Sequence, residues 1–288
     1  MEFVTVSLLN GISFGMILFL LTIGLSITLG LMGIINLAHG ALFMVASFVG
    51  WVMVVQLGYS YWLALVVGTL IAGLIGLAIE QGFLSRLYGQ VDEQVLLTIG
   101  FIYILMNISL WIFGGRARMP YHPDILAGTF PIAGGEYPIH RMFTIGVGIV
   151  LIFGLWWLLE KTKIGAIVRA GMDDKDTTTA LGINLGRMNY LVFFLGAVLA
   201  GFTGVIGAQM MGPRIGMAWD ILLFALIVLV VGGMGSIQGA LVGAMLIGLV
   251  DAFGRALFPD LSMFFMYIVM IVILMIKPSG ILPRKSGG

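Results

Sequence analysis

Long apolar segments dominate this chain and constrain its fold more than any other feature. The 288 residues are 60% hydrophobic and only 9% charged, with a mean hydropathy of +1.14. Since an average soluble domain carries about 25% charged residues, this composition excludes an ordinary cytosolic enzyme, a disordered chain and a basic nucleic-acid binder. A helix needs roughly 20 apolar residues to cross a bilayer. The sequence therefore predicts an all-α, multi-pass membrane protein with a single transmembrane domain over residues 1–288.

Nine segments reach or approach that length. They are residues 8–30, 37–55, 61–83, 94–114, 142–160, 189–210, 217–231, 236–256 and 262–277. Segment 217–231 is the shortest and is predicted to be a half-helix or part of a broken helix if it does not cross. The sequence thus predicts eight or nine spans. The alternating segments of about 10 residues that a transmembrane β-barrel requires do not occur.

The basic residues of the short loops predict the orientation, because cytoplasmic loops are enriched in Lys and Arg. Nine fall on one side: Arg86, Lys161, Lys163, Arg169, Lys175, Arg187, Lys277, Arg284 and Lys285. Five fall on the other: Arg116, Arg118, Arg141, Arg214 and Arg255. This bias predicts a cytoplasmic C-terminus. The N-terminus would lie outside with nine spans and inside with eight, and residues 115–141 would form an ordered loop on the outer face.

No catalytic or metal-binding constellation is apparent. The chain has no Cys, and its three His residues are scattered. It lacks the G-x-x-x-x-G-K-[ST] motif, so it does not hydrolyse ATP by that route. The interiors of 8–30, 61–79 and 189–208 contain no acidic or basic residue, which argues against an ion-coupled pump and against a channel with a ring of charge.

Two Gly-interrupted segments resemble each other at an offset of 199 residues. Residues 33–42 read GIINLAHGAL and residues 232–241 read GGMGSIQGAL, so that His39 falls opposite Gln238. Paired interruptions of this kind point to a substrate path, because unwound backbone at membrane depth is tolerated only inside protein or along a cavity. The sequence predicts an internal repeat, with Gly33, Gly235 and Gln238 near the path. Chance recurrence in a chain with 42 Gly residues is the alternative.

Polar residues within or beside the spans need a physical reason. Asn36 and His39 lie between two apolar runs, where they are predicted to pin a broken helix or gate the path, with direct solute contact as a less favoured interpretation. Asp251 and Arg255 are four residues apart on one helix face and are predicted to form a structural ion pair at the outer interface.

The inner loop 161–188 is the most polar part of the chain, and it separates a first half (1–160) from a second half (189–288). Gly171 and Asp173 are predicted to open a short helix near 174–181, and Gly182 to close it. Loops this long are usually functional or disordered. The loop also contains enough apolar residues to fold against something, which favours docking to a partner over a solvated connector.

At three places the chain resembles one protein family. The run GLSITLGLMGIINLAHGALFM resembles the first-half signature of permeases from branched-chain amino-acid-type ABC importers, and GGMGSIQGALVGA resembles their second-half signature. The loop, with Arg169-Ala170 and Ala180-Leu181-Gly182-Ile183-Asn184, resembles their coupling segment. The match is closer to the LivH-type permease than to its LivM-type companion. The loop departs from many importer permeases in lacking a Glu-Ala-Ala triplet.

This resemblance implies a type II-like importer permease in a bacterial-type inner membrane, paired with itself or a LivM-like permease. Two cytoplasmic ATPase subunits would bind ATP and Mg²⁺, so the chain itself would hold no cofactor, and an extracytoplasmic binding protein would deliver the solute. Arg169, Asp173, Gly182, Ile183 and Asn184 would take part in coupling to the ATPases. The solute would be a branched-chain amino acid or a similar amino acid, amide or small carboxylate.

One alternative from another functional class stays open. A passive channel or facilitator for a small polar solute accounts equally well for the Gly-rich interruptions. A membrane-embedded enzyme is disfavoured, because no acid, base, nucleophile or metal ligand recurs at helical spacing within the spans.

Overall fold

The computed structural model describes residues 2–33, 36–132 and 135–283, which fold into eleven α-helices and one β-hairpin. The helices are α1 (Glu2–Met32), α2 (His39–Trp51), α3 (Tyr61–Gly82), α4 (Val91–Phe113), α5 (Ile139–Lys161), α6 (Lys163–Asp173), α7 (Lys175–Ala180), α8 (Leu185–Met211), α9 (Met217–Gly232), α10 (Ile237–Leu257) and α11 (Ser262–Ile276). A π-helical turn, Val52–Gln56, extends α2.

Eight of these helices, counting α2 together with its π-helical turn, are long and apolar enough to cross a membrane. The segment predicted to be shortest forms α9, which has 16 residues. Helix α1 starts at Glu2 rather than at residue 8, and α8 starts at Leu185 rather than at residue 189. Both starts lie ahead of the continuous apolar runs from which the spans were predicted. Asn184 caps α8, because its side chain accepts the amide of Arg187 at 3.0 Å.

The outer loop is more structured than predicted, since it contains two antiparallel strands, β1 (Thr129–Ile132) and β2 (Gly135–Pro138). The hairpin is confined to this loop, and the membrane domain is helical as predicted. The N-terminal part of α1 packs beside it: Arg141 donates a hydrogen bond to Asn10, and the Ser13 hydroxyl donates to the Arg141 carbonyl at 3.3 Å. We call this side of the molecule the hairpin face.

The opposite side is formed by α6 and α7, and we call it the α6–α7 face. Helix α1 ends there, because Met172 packs against Gly30. Residues 281–283 also lie on this side, where the amides of Ile281 and Leu282 donate to the last carbonyls of α9 at 2.9 and 3.0 Å. The two ends of the described chain therefore lie on opposite faces. The chain therefore passes between the two faces an odd number of times, which requires the 16-residue helix α9 to be counted with the eight longer ones.

The described basic residues divide between the two faces as the sequence predicts. Arg116, Arg118, Arg141, Arg214 and Arg255 lie toward the hairpin face, whereas Arg86, Lys161, Lys163, Arg169, Lys175, Arg187 and Lys277 lie toward the α6–α7 face. Arg284 and Lys285 are outside the described residues.

Helix α1 forms the centre of the bundle, and small residues let its neighbours approach it closely. It packs most extensively against α10, where Gly11 and Gly15 face Gly248. Against α8 the contact is Gly24 on Gly196. By contrast, α4, α5 and α11 leave most of their apolar surface outside the bundle, as expected for helices that face lipid or another membrane subunit.

Candidate functional site

The first helix interruption lies between α1 and α2. Helix α1 closes at Gly33, which has φ = +73° and donates its amide to the Leu29 carbonyl at 2.9 Å. A residue with a side chain is strained in this conformation, which accounts for Gly here. Asn36 is buried, accepts the His39 amide at 3.2 Å through its carbonyl, and has no side-chain Oδ1 partner among the described residues. Ile34 and Ile35 are outside the described residues.

His39 begins α2 inside the bundle rather than at its surface. Its side chain is 1% exposed, and Nε2 donates to the Leu21 carbonyl at 3.1 Å. That acceptor assigns the proton to Nε2. A Cβ on Gly24 would lie 3.1 Å from His39 Cε1, so the ring occupies the space that this glycine leaves open. These contacts hold the start of α2 against α1, and the role of His39 in pinning a broken helix or gating the path stays a prediction.

The second interruption lies between α9 and α10. Gly233 and Gly235 have φ of +107° and +73°, and the Ser236 hydroxyl caps α10 by accepting the Gly239 amide at 3.0 Å. Both interruptions therefore consist of a helix, a left-handed glycine and a new helix. Helices α1 and α9 both run toward the α6–α7 face, and α2 and α10 both run back, so any repeat here is parallel in direction. Superposition of the two halves stays a prediction.

The predicted path residues fall in two separate places. Gly235 and Gln238 line a cavity of about 200 Å³ that opens on the α6–α7 face. Its other lining residues are Ile27, Leu159, Glu160, Val168, Arg169, Met172, Ser236 and Ile237. Gly33 also lies on this face, because a Cβ built on it would lie 3.9 Å from Lys175 Nζ. His39, by contrast, is enclosed between α1 and α8. The structure thus joins Gly235 and Gln238 to Arg169, a predicted coupling residue, and separates them from His39.

The loop 161–188 contains two helices rather than the one predicted. Helix α6 is capped by Thr162, whose hydroxyl accepts the Gly165 amide at 3.1 Å, and it buries Gly165, Val168 and Gly171. Asp173 is its last residue, so the expectation that Gly171 and Asp173 open the following helix is wrong. The missed signal was a Thr cap followed by an apolar face at helical spacing.

Helix α7 is opened by Asp174. One carboxylate oxygen accepts the amides of Asp176 and Thr177, each at 3.0 Å. The predicted end at Gly182 is confirmed: Gly182 has φ = +83° and donates its amide to the Thr179 carbonyl at 2.9 Å. Asp174, and not Asp173, caps α7 because the backbone at Asp174 is extended. Its carboxylate is thereby directed back onto the unpaired amides of the first turn of α7.

Helix α7 should lose its cap at low pH. The Thr177 hydroxyl donates to Asp174 at 2.5 Å, and this bond, with the Thr177 and Asp176 amides, holds the pKa of that carboxyl below its ordinary value of 3.8. Since the pKa is lowered in the folded state, the stabilisation is complete above 3.8 and disappears as pH falls through the lowered value. Hydrogen exchange at 176 and 177 should accelerate in Asp174→Ala at neutral pH. Asp174→Asn, which retains an acceptor, should protect these amides without this pH dependence; equal exchange in all three proteins would contradict the capping role.

The ion pair predicted at the outer interface is present on the hairpin face. Arg255 Nε lies 2.9 and 2.8 Å from the two carboxylate oxygens of Asp251, which is 5% exposed. Glu80, in the last turn of α3, is fully buried and accepts a hydrogen bond from Tyr88. In the described residues no group of three or more His, Asp or Glu side chains could hold a metal ion.

Sequence comparison decides the family. A model described as "Branched-chain amino acid transport system / permease component" matches residues 7–274. The chain belongs to this family. Similar proteins include the branched-chain amino acid permease BraD of Pseudomonas aeruginosa, 28% identical over 97% of this chain and 95% of that protein, and LivH of Escherichia coli, 28% identical over 96% and 94%.

Other similarities are more distant. LivM of Escherichia coli is 25% identical over 93% of this permease and 68% of its own length. A chain in the solved structure "PsaBC from Streptococcus pneumoniae in complex with Fab" has the same fold with a TM-score of 0.52, 15% identity, and coverage of 99% of this permease and 94% of that chain. The LivH-type resemblance and the multi-pass membrane fold of the permease are thereby confirmed.

Proposed function

We propose that this permease is one of two membrane subunits of an importer driven by partner ATPases. The second subunit is a LivM-like permease or another copy of the chain, and an extracytoplasmic binding protein delivers the solute. The two ATPases bind ATP and Mg²⁺, and this chain holds no cofactor. The solute is a branched-chain amino acid or a similar amino acid, amide or small carboxylate, consistent with the names of BraD and LivH.

The α6–α7 segment, residues 163–184, carries this proposal. Its outer surface is exposed almost throughout α7, and Leu181 at the tip is 75% exposed. The outer surface of the segment is therefore available to a partner subunit. The inner surface of α6 contacts the end of α1, through Met172 on Gly30, and both Met172 and Arg169 line the cavity with Gly235. A force on the segment would therefore reach both helix interruptions.

The proposal also favours one orientation of the permease in the membrane. The α6–α7 face is the cytoplasmic face in the proposal, since that is where the ATPases lie. Seven described Lys and Arg residues lie on this side and five on the other, in the direction expected for cytoplasmic loops. The C-terminus is then cytoplasmic, and the N-terminus and the hairpin face are outside the cell, in a bacterial-type inner membrane.

Cross-linking tests the coupling role directly. Since the chain has no Cys, single cysteines can be introduced without further changes. Cysteines at Leu181, Ile183 and Asn184 should cross-link to the ATPase subunit in the assembled complex. Ile125→Cys is a matched control, because Ile125 is 76% exposed but lies on the hairpin face. The coupling proposal would fail if none of the three cysteines cross-linked, or if Ile125→Cys did so equally.

Uptake into proteoliposomes distinguishes the importer from the passive channel. Reconstituted with the ATPases and binding protein, the permease should accumulate leucine only when ATP is supplied. Equilibration of leucine by the permease alone, at the same rate with and without ATP, would instead support the facilitator.

A further inference from the structure

Two cavities with charged residues in their walls lie on the hairpin face, away from every residue predicted for the path. One of about 370 Å³ lies between α1, α5, α8 and α10, and one of about 500 Å³ adjoins it beside α9 and α11. The two share Met211 and Arg255 in their walls. Both volumes fall within the range of about 300–1,000 Å³ in which small-molecule sites occur.

The smaller cavity has an excess of positive charge. Its ionisable lining residues are Arg141, Arg255 and Asp251. Arg141 donates to Asn10, and its buried Nε has no hydrogen-bond partner among the described residues. This atom is buried from the cavity as well as from solvent, and the Tyr137 side chain lies beside the same guanidinium.

Arg255 separates the two cavities and keeps donors available for a ligand. Both of its hydrogen bonds to Asp251 use Nε, and the side chain of Arg255 is 56% exposed whereas that of Asp251 is 7% exposed. Within the described part of the chain, the Nη groups make no hydrogen bond. A guanidinium held through Nε in this way presents a fixed pair of donors to a carboxylate.

The remaining walls of the smaller cavity are suited to an apolar group. Phe14, Met210, Met211, Ala252 and Ala256 line it, and Phe14 is held by an edge-on contact with Phe224 at 5.8 Å between ring centroids. Methionine side chains adapt to ligands of different shape. One cavity thus offers cationic donors beside a flexible apolar wall.

We propose that this cavity is an entry site on the permease that binds the carboxylate of a small aliphatic amino acid through Arg255 and Arg141, with the aliphatic side chain against Phe14 and Met210. The inference rests on the proposed function, because it takes the hairpin face as the side from which solute arrives. Asp251 is a positioning residue that holds Arg255 and tempers its charge. Helix α1 lines this cavity at Phe14 and contacts Met172 at Gly30, so one helix connects the entry site to the α6–α7 segment.

Direct binding tests the site without the binding protein, whose own affinity would dominate uptake measurements. The permease complex with its ATPases, in nanodiscs, should bind tritiated L-leucine, and isocaproate, which retains the carboxylate, should compete. Isoamylamine, which retains only the amine, should not compete. Absence of leucine binding at millimolar concentration, or equal competition by both analogues, would overturn the proposal.

Charge variants identify the residues. Arg255→Gln should weaken leucine binding about tenfold or more, since hydrogen bonds to charged groups are strong. Asp251→Asn should leave binding unchanged or tighten it, because the asparagine amide oxygen can still accept from Arg255 Nε while the negative charge beside the site is removed. A purely structural ion pair predicts instead that both variants are impaired alike. Arg116→Gln, an exposed arginine on the same face but outside both cavities, controls for long-range charge.

The outcomes separate this site from the proposed function. If wild-type complex takes up leucine with ATP but Arg255→Gln and Arg116→Gln bind it equally, the entry site is wrong and the importer stands. If wild type shows no ATP-dependent uptake, the proposed function fails, and the entry site fails with it.

Discussion

Gly248→Val should prevent the permease from folding. Gly248 lies where α10 crosses α1, and a Cβ there would overlap the Gly11 carbonyl and lie 2.7 Å from Gly15 N and Cα. These are backbone atoms, so no rotamer change can relieve the overlap and the helices must separate. Overpacking of a core costs about 1–3 kcal/mol even where side chains can adjust. We expect a larger loss here, because the α1–α10 contact is the most extensive in the bundle.

Gly146→Val provides the matched control. Gly146 lies in α5, is exposed, and has nothing within 4 Å of its would-be Cβ. The same substitution should therefore change the free energy of unfolding by less than about 0.5 kcal/mol. The measurement is the yield of monodisperse permease in detergent and its thermal unfolding. Comparable yield from Gly248→Val and Gly146→Val would contradict the close helix crossing.

The spans were predictable because each depends on local composition. A run of apolar residues long enough to cross the bilayer identifies a helix whatever it packs against, and even the short segment 217–231 was recognised. Helix ends were predictable only where a cap or a left-handed glycine marks them, as at Gly182. Near the start of α1, Glu2 lies against Gly135 of the hairpin and Asn10 accepts a hydrogen bond from Arg141, and hydropathy detects neither contact.

The arrangement of the site could not be obtained from sequence in the same way. The offset of 199 residues aligned His39 with Gln238, and the structure confirms that each lies at the start of a helix after an interruption. Their surroundings nevertheless differ: His39 is enclosed against Leu21, and Gln238 lines a cavity with Arg169. How deeply a residue is buried in the bundle depends on how the helices pack together. A short sequence motif does not encode that packing. The hairpin-face cavities were missed for the same reason.

Gly165→Val should uncouple the α6–α7 segment from the membrane domain. Gly165 lies in the first turn of α6, where a Cβ would collide with the carbonyls of Leu158 and Leu159 at the end of α5. As with Gly248, the obstructing atoms are backbone, so α6 must move away from α5. That movement would pull Val168 from its buried position and Met172 from Gly30.

The consequence should be selective loss of transport. The α1–α10 and α1–α8 packing lies away from the collision, so the bundle should still fold. Coupling free energies between sites are about 1–3 kcal/mol, and their loss would reduce ATP-dependent leucine uptake by about 5- to 150-fold. ATP hydrolysis by the partner subunits should continue, since their catalytic groups lie outside this chain in the proposed complex. Uptake and hydrolysis are measured on the same proteoliposomes.

Ala166→Val is the control for Gly165→Val. It places a β-branched residue in α6 without displacing the helix. Ala166 is the next residue in the same helical turn but is exposed, so its valine costs only a few tenths of a kcal/mol in helix propensity and displaces nothing. Uptake by Ala166→Val should stay near wild type. Normal uptake by Gly165→Val would mean that the contact of α6 with α5 and α1 is not the route of coupling. Parallel loss of uptake and hydrolysis would mean that the substitution removes ATPase docking itself. Loss of uptake alone would show that the packing of α6 against α5 and α1 couples the segment to the bundle.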